Sequence, residues 1–168
     1  MKHYRILLII ITGFLFFVAC NKKKAQQNEP TNINDNKIEE VQKIGYSLFG
    51  GWIGPGYNLV IRPDSILYYY NVMSIREAGK YDAPITTEVW SDLIKDLDIN
   101  DFEKIESTPT VQDADGSDRE FFVETNKRRL SFINGESSEY YNKLKTFFDT
   151  VIKLEYECRK KSVKSKIE

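Results

Sequence analysis

Histidine is almost missing from this chain, and its absence decides more than any motif that is present. One residue of 168 is histidine, His3, and none lies beyond it. From residue 20 onward there is therefore no imidazole. That excludes Ser-His-Asp and Cys-His nucleophile systems, whose general base is that ring. It equally excludes zinc sites built from His and Cys. Cysteine is nearly as scarce, with only Cys20 and Cys158. One disulfide is the ceiling, and none forms if either thiol is otherwise engaged. Charge of one sign is not in surplus, at 24 Lys and Arg against 25 Asp and Glu. A nucleic-acid binder wants a clearly basic domain, so that class is set aside. Long apolar runs are missing too. The longest, residues 6–19, has 14 residues, interrupted only by Thr12 and Gly13, too short for a comfortable bilayer span.

That run has the build of an export signal. Lys2 and Arg5 supply a positive n-region, and the apolar stretch suits an h-region. It closes on Phe17-Val18-Ala19-Cys20. This resembles the lipobox of bacterial lipoproteins: a bulky apolar residue, a tolerant position, a small residue, then cysteine. Phe17 stands where leucine is more usual. The resemblance implies that residues 1–19 are a signal peptide, cut by signal peptidase II. Cys20 is then the lipidated first residue of the mature protein. Each buried methylene contributes roughly 0.8 kcal/mol, so two or three acyl chains such as palmitate make a lasting membrane anchor. With Cys20 acylated, no internal disulfide is possible. Asn21-Lys22-Lys23-Lys24 follows. No Asp follows the cysteine to signal inner-membrane retention, and no acidic run to signal the cell surface. The expected location is the outer membrane, facing the periplasm, with the lysines near anionic headgroups or simply solvated.

The mature chain is then 149 residues, with 22 basic and 25 acidic side chains, a net −3. Residues 25–36, AQQNEPTNINDN, are polar and nearly free of apolar side chains, which makes 20–37 a flexible tether. Fully extended it reaches some ~60 Å. Residues 38–160 are expected to form one domain, large enough for a single core, and 161–168 a basic tail. Aromatic residues make up 13% of the chain, so that core is built on Tyr and Phe.

Within the domain, Tyr57, Leu59 and Ile61 alternate with polar or outward positions, Arg62-Pro63-Asp64-Ser65 is a turn, and Ile66 to Tyr70 returns as a hairpin partner. A further extended piece covers about Glu77 to Ile85. Thr87 is a candidate N-cap for a helix carrying Val89, Trp90, Leu93, Ile94 and Leu97. Two more strands, Arg119 to Thr125 and Arg128 to Ile133, meet across Asn126-Lys127. A last helix, from about Ser137 to Arg159, carries the apolar stripe Leu144, Phe147, Val151, Leu154 and Cys158. The order β-β-β-α-β-β-α predicts an α+β domain with a largely antiparallel sheet and two helices on one face.

Five features invite a functional reading. Asp113, Asp115 and Asp118 alternate around Gly116 and can offer oxygens to Ca²⁺, although the spacing is not that of an EF-hand loop and an acidic hairpin loop reads as well. No other cofactor is implied. The glycine-rich Gly50 to Gly56 lacks the Lys-Ser/Thr ending of a phosphate loop. Trp52 with Tyr57 can instead form a binding rim, and Tyr68 and Tyr70 can stack a sugar or peptide. The competing reading for all four aromatics is ordinary strand and core packing. Asp113 with Glu120 is a possible carboxylate pair for a hydrolase of the cell envelope.

The glycine-rich loop through Tyr57, the Leu59-Ile61 strand, Tyr68, the Trp90-Leu93 helix, Phe102 and the final helix are together similar to small lipoprotein domains of unknown function common in Bacteroidota. The resemblance covers about Ile44 to Leu154. Where those domains carry loop cysteines before Pro-x-Tyr, this chain has Trp52 and Pro55-Gly56-Tyr57. It implies no catalytic residues. The expectation is therefore a non-catalytic binding module, held to the membrane by Cys20, whose partner is an envelope protein or glycan. The hydrolase is the alternative.

Overall fold

The computed structural model describes residues 38–51, 54–112 and 115–166. Cys20, Trp52 and Asp113 lie outside the described residues. Strands β1 (Val41–Gly50), β2 (Gly54–Ile61), β3 (Ser65–Val72), β4 (Glu77–Pro84), β5 (Asp118–Thr125), β6 (Arg129–Ile133) and β7 (Val163–Lys166) form one sheet. Its spatial order is β6-β5-β1-β2-β3-β4-β7, and every pairing is antiparallel. The helices are α1 (Thr87–Ile94), α2 (Ile99–Glu103), α3 (Glu139–Lys143) and α4 (Lys145–Lys161). The α+β class and the antiparallel sheet stand.

Side chains on a strand alternate between faces, so register decides which residues share the core. Ile44 pairs with Ile61 and Val123, and Tyr46 with Leu59 and Phe121. Leu59 pairs with Tyr68, Ile61 with Ile66, and Phe121 with Phe132. All of these point to the helix-covered face and join Trp90, Leu93, Phe102, Phe147, Phe148 and Val151 in one buried cluster. The opposite face carries Ser47, Asn58, Tyr69 and Lys80 in one cross-strand row.

Phe122 is the exception on that opposite face. It is buried because Gly45 on the neighbouring strand leaves room for its ring. A Cβ at Gly45 would lie 1.9 Å from the Phe122 ring. The Arg129 guanidinium covers the other side at 3.9 Å from the ring centroid, a cation–π contact.

Two strands were absent from the expected order. β1 is one, between β5 and β2. Its period-two pattern of Ile44, Tyr46 and Leu48 was readable, but Gly45 at its centre weakens a strand signal. The other is β7, which takes up part of the expected basic tail. It carries a single apolar residue, Val163, 81% exposed. Backbone pairing to β4 holds it, together with a 3.0 Å ion pair from Lys164 to Glu77. No packing pattern announces such a strand.

The helix boundaries also differ from expectation. Thr86, not Thr87, is the N-cap of α1, and its hydroxyl accepts from the Val89 N–H at 3.4 Å. The final helix is two: Ser138 caps α3, and the chain leaves helical geometry at Leu144, φ −96° and ψ 14°. Trp90 and Leu93 are the buried residues of α1.

Phe148 is the hub of the core. Its ring stacks on Tyr141 at 4.2 Å and meets Phe121 at 4.7 Å, Phe147 at 5.3 Å and Phe132 at 5.6 Å. Aromatic pairs at such spacings add to their burial. Phe148→Ala is expected to cost about 3–5 kcal/mol, as for a large aromatic removed from a core. Urea unfolding of both forms measures it, and a loss below ~1 kcal/mol would contradict this packing.

Candidate functional site

Two clusters bring together the residues singled out in the sequence. The first lies at the end of the sheet where β1 finishes and β2 and β5 start. There the glycine-rich and aspartate-rich loops interlock. The Ser117 hydroxyl donates to the Gly50 carbonyl at 3.3 Å. A Cβ at Gly51 would sit 2.6 Å from the Gly116 carbonyl oxygen, and Gly51 has φ +55°. Only glycine meets both demands. Neither loop's sequence indicated that the other was its neighbour.

Asp118 fastens the second loop. It opens β5 and is 3% exposed. One carboxylate oxygen accepts from the Val111 N–H at 3.0 Å and from Asn134 Nδ2 at 2.7 Å. The other accepts from the Thr110 hydroxyl and Gln112 Nε2, both at 2.7 Å. The Thr110 hydroxyl, with the Val111 amide and the Asn134 and Gln112 side chains, holds its pKa far below the usual carboxylate range. Four donors fill the four acceptor positions of a carboxylate. The expectation that Asp118 joins Asp113 and Asp115 around Ca²⁺ thus meets a carboxylate already saturated by protein. Asp115 is exposed, at φ +58°. Among the described residues no group of three or more His, Cys, Asp or Glu comes together to hold a metal ion.

Arg76, Asp115 and Asn134 are the non-glycine residues at positive φ among those described, and all three lie at this end, with Gly50, Gly51, Gly54 and Gly56. Such conformations persist only where surroundings impose them, and they concentrate at functional sites. Three apolar side chains are exposed here: Met73 at 53%, Ile75 at 63% and Val111 at 44%. Beside Val111 a cleft of about 450 Å³ is lined by Thr108, Ser117, Asn134, Ser137 and the Arg119–Glu136 pair, which is bonded at 3.1 Å.

The second cluster is the tyrosine group. Tyr57, Tyr68 and Tyr70 do come together, with ring centroids 5.9 Å apart in each successive pair. They face inward, however, and Tyr68 and Tyr70 are buried. The even-numbered residues of β3 share the helix side, so these two are core residues and cannot stack a sugar. Tyr69 is the exposed member of the run. Tyr70 donates to the Glu77 carboxylate. Burial, and then that bond, push its hydroxyl up to about 12.

Opposite Tyr68 stands Glu155, which sequence reasoning missed. It is 6% exposed, and neither its Oε1 nor the Tyr68 hydroxyl has a hydrogen-bond partner. Arg159 Nε approaches Oε1 only to 3.8 Å. Burial pushes the Glu155 carboxyl up, against the pull of Arg159. The expected stripe ran through Leu154, which is only half-buried. The observed one takes Val151, Glu155 and Cys158. Leu154 still packs against the core from the flank, and the charge of Glu155 disguised the more deeply buried position. Cys158 is buried, and burial raises its thiol to about 11, so it stays protonated at neutral pH. Glu120 lies on the helix-free face, 3.4 Å from Arg129.

No family model matches the sequence, and no curated protein matches it significantly.

Glu155 and Asp118 carry opposite pH dependences. A carboxyl raised in the folded state keeps its proton longer than in the unfolded chain. Stability therefore falls as pH rises from the ordinary value of 4.5 into the raised range. Glu155→Gln is expected to flatten that fall. Glu155→Met is expected to raise stability at pH 8 by about 1–3 kcal/mol, the cost of one unsatisfied buried polar group. Melting curves from pH 4 to 8 decide, and an unchanged slope in the Gln variant would refute the assignment. Asp118 acts in reverse. Its contribution is complete above 3.8 and is lost as pH falls below that value. Asp118→Ala is expected to lower the melting temperature more than Glu120→Ala and to open residues 108–118 to limited proteolysis.

Proposed function

We propose that this chain is a lipid-anchored envelope protein whose domain is a non-catalytic binding module. Cys20 carries the lipid, and the location is the outer membrane on its periplasmic side. The partner is an envelope protein or glycan, engaged by the loop end of the sheet. The observation that carries this reading is the gathering of the positive-φ residues with exposed Met73, Ile75 and Val111 at one end. β1 starts at the other end, where Val41 pairs with Thr125. The described residues thus begin at the end away from the loops. A built, partly apolar surface clear of that end is what a binding module needs. None of the helices described is long and apolar enough to cross a membrane, and a lipid anchor requires none.

Two measurements test the two halves of the proposal. Labelling with an alkyne fatty acid is expected to mark the wild type and not Cys20→Ser. Intact-mass analysis that finds Met1 retained and no acyl chain would remove the anchor. A photo-crosslinker placed at Met73 or Ile75 is expected to yield a discrete adduct in the envelope, and one at Val89, exposed on α1, is not. Equal yields at all three positions would remove the loop end as the recognition surface.

A further inference from the structure

The cations of this domain are unevenly placed. Residues 38–158 hold 22 acidic and 13 basic side chains, a net of −9. Residues 159–166 hold Arg159, Lys160, Lys161, Lys164 and Lys166 and no acid, a net of +5. In the fold those eight residues are the last turn of α4 and the strand β7, on the outer edge of β4. They form a strip along the β4 edge that reaches the loop end, where Lys166 pairs with Glu77 next to Arg76. Favourable interaction with the helix dipole accounts for cations in the last turn. It does not account for Lys164, which lies beyond the helix.

The surroundings of the strip suit an interface between water and lipid. Tyr156 is 46% exposed, with the Lys160 ammonium 4.1 Å and the Arg159 guanidinium 5.4 Å from its ring centroid. Such an amphipathic ring sits well at headgroup level. Val163 projects from the same edge. The acids in reach are Glu155, Glu157 and Glu77. The Lys160–Glu157 bridge is solvent-exposed, and such pairs contribute little and exchange readily; Glu77, half-buried, is shared between Lys164 and the Tyr70 hydroxyl. The acidic body is repelled by an anionic surface, while the strip is drawn to it. The two together fix one orientation.

We propose that the Arg159–Lys166 edge docks on the anionic phospholipid headgroups of a bilayer, laying the β4–β7 side of the domain against it. This contact rests on the anchor bringing the domain to a membrane, and the experiment separates the two. The full-length acylated chain is mixed with vesicles of phosphatidylcholine, alone or with three-tenths phosphatidylglycerol. Flotation reads the anchor, and acetylation rates of individual lysines, by mass spectrometry, read the contact. The chain is expected to float with both compositions. Lys160, Lys161 and Lys164 are expected to react at least three-fold more slowly on the phosphatidylglycerol vesicles only, and to recover in 0.5 M KCl. Lys95 and Lys145 are expected not to change. Each Lys→Gln substitution in the strip should weaken the contact about five-fold.

Equal acetylation on the two compositions overturns the contact. Failure to float on neutral vesicles overturns the anchor alone, and the contact is then read on phosphatidylglycerol vesicles in lipid excess, where absent protection overturns it. Protection by soluble polyphosphate but not by phosphatidylglycerol vesicles also overturns it, assigning the strip to a soluble polyanion.

Discussion

Everything in this domain depends on covering the aromatic face of its sheet. Tyr46, Phe121, Phe132 and Tyr68 stand on one side of the strands, and only helices can keep water from them. Helix α4 does most of this by laying Phe147, Phe148 and Val151 across the strands. With no disulfide and no metal group among the described residues, burial of apolar surface carries the fold. The polar residues drawn into that interior follow from it. Glu155 is inside because its position on α4 faces the sheet, and the cost of burying its carboxyl, only partly relieved by Arg159, is offset by the surrounding rings.

The legible part of this structure was the part written in periodicity. Alternation disclosed β2, β3, β5 and β6, and helical spacing disclosed α1 and the last helix. What stayed hidden, β1 with its central glycine apart, had no period of its own. β7 is held by a neighbour's backbone, and Gly45 makes sense only beside Phe122, far along the chain. The same holds for the candidate site. The glycine loop and the aspartate loop were each conspicuous, but their interlocking depends on a sheet register no local pattern contains. Asp118 drew notice as an oxygen donor to metal. Its actual partners, Thr110, Gln112 and Asn134, come from two sides of the strand it begins. The tyrosines were read as a possible surface because composition cannot say which face of a strand is wet.

Absence of imidazole and the proposed lipid together narrow what such a domain does. From residue 20 onward there is no histidine to activate a nucleophile, and Cys158 is buried with its thiol protonated. The constrained backbone at the loop end suits the proposed binding role, since a rigid surface loses less conformational entropy when it meets a partner.

The position of β1 has a consequence for how the chain acquires its form. The first strand among the described residues lies inside the sheet, and its pairing with β5 joins residues 81 apart, as Lys43 and Glu124 show. A chain made amino end first can close the β1–β2 hairpin early. The other edge of β1 then stays open, with Ile44 and Tyr46 uncovered, until β5 arrives. Closing that gap is a non-local step and a slow one. Folding is therefore ordered in time, with this inner strand waiting for a partner synthesised some eighty residues later.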